Sequence, residues 1–182
     1  MMLNYIFILF FLNIFIFMTD ICLAQRYHWH CGELVKNVLL FESVSLLIAV
    51  TLFPVPLDDT ASIFVQENNF VPFRTIGTEL KNLILSHDIT SFVRQFVGNL
   101  FMFFEFMNVV YFYLTHISWK KACALTLVFS LLVEGFQGIS NILMEINYRS
   151  IDIDDIILNT AGGVIGFLFY EKFLKKLSLK LN

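Results

Sequence analysis

Few residues in this chain have the chemistry to hold a polar molecule, and most of them fall into two short stretches. Ser130, Glu134, Gln137, Gly138 and Asn141 recur at three- and four-residue steps, so a helix carries all five on one face. Arg149, Asp152, Asp155 and Asn159 follow with the same steps and run into Gly162, Gly163 and Gly166. Carboxylates interleaved with amides accept hydrogen bonds from a polar ligand, and an Arg among them balances their charge. Glu134, Asp152 and Asp155 also offer the oxygens a divalent cation needs, but their spacing matches no specific metal loop, so neither a metal nor another cofactor is expected. A purely structural reading is available for the acids: Asp152 as a helix N-cap, Asp154 and Asp155 as favourable charges at a helix N-terminus. The sequence contains no nucleophile elbow, HExxH, phosphate-binding glycine loop or Ser/His/Asp order. No catalytic role can be named, and whether the protein is an enzyme stays open.

What positions these residues is set by composition. With 58% hydrophobic and 15% charged residues, 22 of them Phe, and a mean hydropathy of +0.75, the chain is too apolar for an ordinary soluble domain. A bilayer core about 30 Å thick takes roughly 20 apolar residues in a helix. Five runs approach that length: Leu3 to about Ala24, Leu34 to Phe53, Val93 to Leu114, Ala122 to Asn141, and Ile153 to Tyr170. The expected fold is therefore all-α, a polytopic membrane bundle of about five transmembrane helices. Its parts are an N-terminal helix and internal loop over 1–33, a membrane domain over 34–171 and a basic cytoplasmic tail over 172–182.

The first run is the weakest, since its apolar stretch ends near Phe17 and Asp20 follows. Read as a signal peptide, it would be cleaved after Cys22-Leu23-Ala24. Charge favours retention. With five spans and a cytoplasmic C-terminus, the inner segments hold Arg26, Lys36, Lys120, Lys121, Lys172, Lys175, Lys176 and Lys180, the outer ones only Arg74, Lys81, Arg94 and Arg149. Eight against four satisfies the positive-inside rule. Cleavage reverses this, and the run also lacks a basic start. In this topology the polar stripes occupy the outer halves of the fourth and fifth helices, where their faces meet.

The connection from Pro54 to Phe92 is then external. Within it Ile76, Leu80, Leu83 and Ile84 recur at helical spacing opposite Thr78, Glu79, Lys81 and Asn82, which predicts a short helix on the outer interface. Asn68 and Asn69 are turn formers, and Pro72 disfavours helix at Val71, so Asn68 to Arg74 is expected to be extended and to fold back over the helix ends. Inside the spans an ionisable residue costs about 2.5–3.5 kcal/mol at the helix centre. Glu42 lies within snorkelling distance of an interface. Glu105 is nearer mid-span, with Gly98 on its face, and calls for a partner on another helix. Gly162 and Gly166 form a small-xxx-small contact for close backbone approach.

Other classes of function drop out. A net charge of −3 without a basic cluster before the C-terminus gives no footprint for nucleic acid. Cys22, Cys31 and Cys123 are scattered and odd in number, and His28, His30, His87 and His116 form no ligand set, so neither a disulfide framework nor a zinc site follows.

A series of landmarks resembles the VanZ-like family of membrane proteins. Thr51-Leu52-Phe53-Pro54 closes a helix, Asn69-Phe70-Val71-Pro72-Phe73-Arg74-Thr75-Ile76 follows, and then Gly98-Asn99-Leu100-Phe101-Met102-Phe103. Ser130-Leu131-Leu132-Val133-Glu134-Gly135-Phe136-Gln137 comes next, and the most specific block runs from Arg149 through Asp152, Asp154, Asp155 and Asn159 to Gly162-Gly163. The resemblance spans roughly Leu34 to Tyr170. One departure is that Glu105 and Met107 stand where the family usually has Pro and Gly after the Gly-Asn-Leu landmark, which predicts a straighter third helix carrying an extra buried acid. The resemblance implies a multi-pass cell-envelope protein of a bacterium, in a family whose named member lowers susceptibility to the glycopeptide teicoplanin. The implied partners are the lipid bilayer and a glycopeptide or lipid-linked envelope precursor, met by an external site of Glu134, Gln137, Arg149, Asp152, Asp155 and Asn159. An integral-membrane enzyme acting on an envelope lipid or glycan, and a small transporter using Glu105 or Glu134, are the competing expectations.

Overall fold

The computed structural model describes residues 31–52 and 66–181, together with 14, 15, 18, 19 and 26. The first apolar run, and with it the question of its cleavage, lies almost wholly outside the described residues. Helix α1 is Cys31–Leu52, α2 is Arg74–Ser86, α3 is Ile89–Tyr113 and α4 is Trp119–Leu143. Helix α5 runs over Ile153–Phe169 and continues through a π-helical turn, Tyr170–Leu174, into Lys175–Leu181. Among the described residues, α1, α3, α4 and α5 are each long and apolar enough to cross a membrane. These four match the second to fifth apolar runs, and the all-α membrane bundle read from composition is what forms.

The four spans alternate in direction, which brings the last turn of α1, the start of α3, the end of α4 and the start of α5 to one end of the bundle. Contacts fix that arrangement: Gln137 of α4 donates to the Thr51 carbonyl of α1 at 3.1 Å, and Asn99 of α3 donates to Asp155 of α5. At the opposite end Tyr113 bonds Asn37 at 2.7 Å, and Ser178 bonds the Phe112 carbonyl at 2.7 Å. The basic segment after residue 171 is helical as far as Leu181. It prolongs α5, and Lys175 pairs with Glu171 one turn earlier at 2.8 Å.

Helices α4 and α5 turn polar residues inward. On α4, Ser130, Glu134 and Gln137 are buried while Leu127, Val128, Leu131, Leu132 and Ile139 are exposed, the pattern expected when the surroundings are lipid and charge faces the bundle interior. Toward the end opposite the polar residues, Phe103, Phe106, Tyr111, Phe112, Phe167 and Tyr170 form the core. Tyr111 stands edge-on to Phe167 with centroids 5.4 Å apart, and its hydroxyl meets Thr126 Oγ1 at 2.7 Å, so the ring is buried without stranding its polar tip.

Glycines let α5 sit against α3. A Cβ at Gly162 would overlap the backbone carbonyl of Leu100, and one at Gly166 would lie 2.9 Å from the Phe104 carbonyl. The small-residue face therefore packs on α3. Only Gly163 touches both neighbours, wedged between Thr126 of α4 and Met107 of α3. The third span is an uninterrupted α-helix over Gly98–Tyr113, but a π-helical turn at Val93–Val97 precedes it. Asp88 caps its start by accepting from Ser91 N at 3.0 Å, and that bond lowers the Asp88 pKa.

Candidate functional site

The start of α5 is the centre around which the polar end is built. Asp152 adopts an extended backbone and caps α5 by accepting from Asp154 N at 2.8 Å. Its carboxylate also receives Asn69 Nδ2 at 2.8 Å and Thr75 Oγ1 at 2.6 Å. The returning connection is tied in by the backbone, Asn69 N to the Ile151 carbonyl and Ile153 N to the Asn69 carbonyl, both at 2.9 Å. The segment from Asn68 does fold back over the helix ends, but it is extended only as far as Phe70, since residues 71–73 form a turn and Arg74 already opens α2. It then turns sharply at Phe73, whose φ of 66° is left-handed.

Asp154 explains how that turn is held. Phe73 N, Thr75 N and Ile76 N all donate to its carboxylate, the last two at 2.8 and 3.1 Å. These are the unpaired N–H groups of the first turn of α2, whose own N-cap residue supplies no side-chain acceptor. Asp154 therefore caps a helix from outside the chain segment that contains it, and it is fully buried in doing so. The sequence pointed to a favourable charge at the start of α5 and could not show that the acid serves α2. A short helix is present where the spacing predicted one, with Ile84 and Leu85 exposed.

Glu134 and Asp155 stand differently. Glu134 Oε2 accepts from Asp152 N at 3.0 Å, and Asp155 Oδ1 accepts from Asn99 Nδ2. Each carboxylate thus receives one hydrogen bond, and the two lie within Coulombic reach of one another. The polar stripes of α4 and α5 meet as their spacing required. Gln137 turns its amide nitrogen to Thr51, while its oxygen, like Oδ1 of the almost completely buried Asn159, has no donor among the described residues. Ser130, fully buried one turn deeper, reaches the Ile156 carbonyl at 3.4 Å.

Arg149 closes the cluster at the bundle end. Its Nη2 donates to the Val50 carbonyl at 2.9 Å, which places a cation at the negative end of the α1 dipole. Asn141 fixes its backbone from both sides, at 2.7 Å to the carbonyl and 3.2 Å from the N–H. Burial lowers the Arg149 pKa, Tyr148 and Asp155 raise it, and Arg94 lowers it again.

Among the described residues, no three His, Cys, Asp or Glu side chains group so as to hold a metal ion. The donor chemistry agrees, because the oxygens of Asp152 and Asp154 are taken up by protein donors. Of the residues read from the sequence, Asp152 is thus engaged in structure, Glu134, Gln137, Asp155 and Arg149 each bond to another segment at this end of the bundle, and Asn159 lies one turn deeper along α5. Asn69, Thr75, Asn99 and Thr51 belong to the same cluster and were missed as site residues. Periodicity along a single helix cannot find them, since each arrives from a different segment. Glu105 does find its partner on another helix, Ser43 Oγ of α1 at 2.6 Å.

Four apolar spans that alternate in direction, with buried acids and amides collected at one end, define a polytopic α-helical membrane protein. The VanZ/LLP1 family model matches residues 40–175, a stretch that contains most of α1, all of α2, α3 and α4, and the membrane part of α5. The chain belongs to that family. No curated protein and no solved structure matches it.

Proposed function

We propose that the polar end of the bundle faces outward and that Glu134, Gln137, Arg149, Asp155 and Asn159 form a binding site there. Through it the protein engages the polar part of a glycopeptide or of a lipid-linked envelope precursor and so lowers susceptibility to glycopeptides such as teicoplanin. The reading is supported most by one observation: among the described residues Gln137 Oε1 and Asn159 Oδ1 are buried without a donor, on the helices that carry Glu134 and Asp155, which each accept a single bond. A buried acceptor left unpaired costs about 1–3 kcal/mol, a cost that a bound ligand removes. Charge distribution supports the orientation, since the opposite end carries the lysines of the α5 extension and Lys120 and Lys121.

The test is deletion of the gene followed by re-expression of the wild type or of Glu134→Gln. Wild type should restore the teicoplanin susceptibility of the parent strain. Glu134→Gln, which keeps an acceptor for Asp152 N, should not restore it at equal abundance in the membrane. Equal restoration by both refutes the site.

The transporter reading rests on Glu105, whose Oε2 is buried without a partner in mid-span. Its one hydrogen bond comes from Ser43 Oγ, whose single proton is shared with the Leu39 carbonyl 2.8 Å away. That direction is away from Glu134, so the binding reading is preferred.

A further inference from the structure

We infer that the connection leading into α3 is itself inserted in the membrane: residues 70–73 and the apolar row of α2 lie among the acyl chains, just below the headgroups of the leaflet at the polar end of the bundle. Lipid occupies that surface, whatever the polar end binds.

Helix α2 rests on its side, with its apolar row turned outward. It has no buried residue, and its half-buried side is a mixed one of Thr75, Ile76, Glu79, Asn82 and Leu83. Beside them Gly77, Leu80 and Ile84 follow at three- and four-residue steps. Ile84 is 71% exposed and Leu80 40%, and a Cβ at Gly77 would meet nothing within 4 Å. Arg74, Thr78 and Lys81 are exposed on the other side. A helix on a water-soluble domain turns its apolar stripe to the core, whereas an apolar row on one side and a basic row on the other, both exposed, suit a helix lying in a membrane interface. Leu85, exposed on the basic side, departs from that division.

The apolar surface continues beyond α2 in both directions. Before it, Phe70 and Phe73 are 69% and 65% exposed. After it, Ile89, Val93, Val97 and Phe101 are exposed at every fourth position down α3, so the surface runs on into the outer face of a span. Asn69 turns its side chain the other way, to Asp152, and stays with the polar cluster.

The backbone of the turn points independently to the same surroundings. In hydrocarbon an N–H finds no water, so irregular segments are tolerated there only if the protein supplies every partner. From Val71 to Gly77 each N–H is paired. Val71 N donates to Asn69 Oδ1 at 3.0 Å, and Pro72 has no N–H. Arg74 N reaches the Val71 carbonyl at 3.3 Å and Gly77 N the Phe73 carbonyl at 3.0 Å. The remaining three, on Phe73, Thr75 and Ile76, all go to Asp154. In water these N–H groups would be solvated without help, and burying a whole carboxylate to serve them would gain little. At the depth of the acyl chains, that carboxylate is what lets the chain turn.

The test is spin-label accessibility in the full-length protein in phosphatidylcholine nanodiscs, on a background carrying Cys22→Ser, Cys31→Ser and Cys123→Ser. Single labels are introduced through Phe70→Cys, Leu80→Cys, Ile84→Cys, Thr78→Cys and Lys81→Cys. Collision with oxygen, which concentrates among acyl chains, is compared with collision with a water-soluble nickel chelate. The ratio of oxygen to nickel collision should be severalfold higher at Phe70, Leu80 and Ile84 than at Thr78 and Lys81. An equal ratio on the two sides overturns the inference. Low collision with both reagents at Phe70, Leu80 and Ile84 shows that protein covers them, another part of this chain or a second copy, and overturns it as well. Where a labelled variant melts below its cysteine-free parent, the unsubstituted protein decides, through a photoactivated hydrophobic carbene precursor dissolved in the bilayer. Labelling of residues 70–84 to about the extent found on the exposed face of α3 sustains the inference, and severalfold weaker labelling overturns it.

Discussion

Replacing Gly162 by Ala tests whether the approach of α5 to α3 is what holds the polar end together. Alanine favours a helix over glycine by about 0.8–1.0 kcal/mol wherever it is placed. At Gly135, where an added Cβ meets nothing within 4 Å, that gain should appear almost undiminished. At Gly162 the Cβ overlaps the carbonyl of Leu100, and backbone on both sides cannot step aside as a flexible side chain would. Restoring van der Waals distance needs α3 and α5 to separate by on the order of 1 Å, and overpacking of that kind costs about 1–3 kcal/mol. The two variants should therefore differ by about that amount, Gly135→Ala melting above wild type and Gly162→Ala at or below it. For a chain of this size each kcal/mol shifts Tm by roughly 2–4 °C, a gap that thermal unfolding in one detergent resolves. The separation also acts on the site, because Asn99, which donates to Asp155, is the residue before Leu100. Gly162→Ala should thus weaken any ligand-dependent stabilisation in the same samples. Equal melting shifts for the two variants would refute the reasoning.

Three further outcomes are expected. Asp154→Asn removes an acceptor from the first turn of α2, and hydrogen exchange at Thr75 and Ile76 should accelerate roughly 2- to 30-fold, the range of a lost helix cap of about 0.5–2 kcal/mol; unchanged exchange would show that Asp154 does not hold α2. Thr126→Val removes the short bond of the buried Tyr111 hydroxyl and leaves it the Ala122 and Gly163 carbonyls at 3.4 Å, so it should destabilise by about 0.5–1.5 kcal/mol in thermal unfolding, with Thr126→Ser recovering most of the loss. An impermeant thiol reagent should label a cysteine placed at Asn69 or Asn147 in intact cells and spare one at Ser118 or Asn182; the opposite pattern reverses the proposed orientation.

The sequence by itself determined that the chain is a helical membrane protein, where four described spans lie and which residues face inward on α4 and α5. These follow from the length of apolar runs and a 3.6-residue period, both local properties that a linear sequence displays in full. It also placed a helix in the long connection, because the apolar face of Arg74–Ser86 repeats within the segment itself. Only the tertiary structure decided what the acids do. Asp152, Asp154 and Asp155 sit within four consecutive positions, yet one caps its own helix, one caps α2 about 80 positions earlier, and one meets Asn99 on α3. Nothing in their spacing separates those roles, because a carboxylate's partner depends on which donors the other helices bring within 3 Å. The same holds for Gly162 and Gly166, which the sequence marks as a place of close approach without saying to what. The aromatic side chains of the core fill the space beside α4, whereas the carbonyls of Leu100 and Phe104 present a surface that only a helix without side chains can reach.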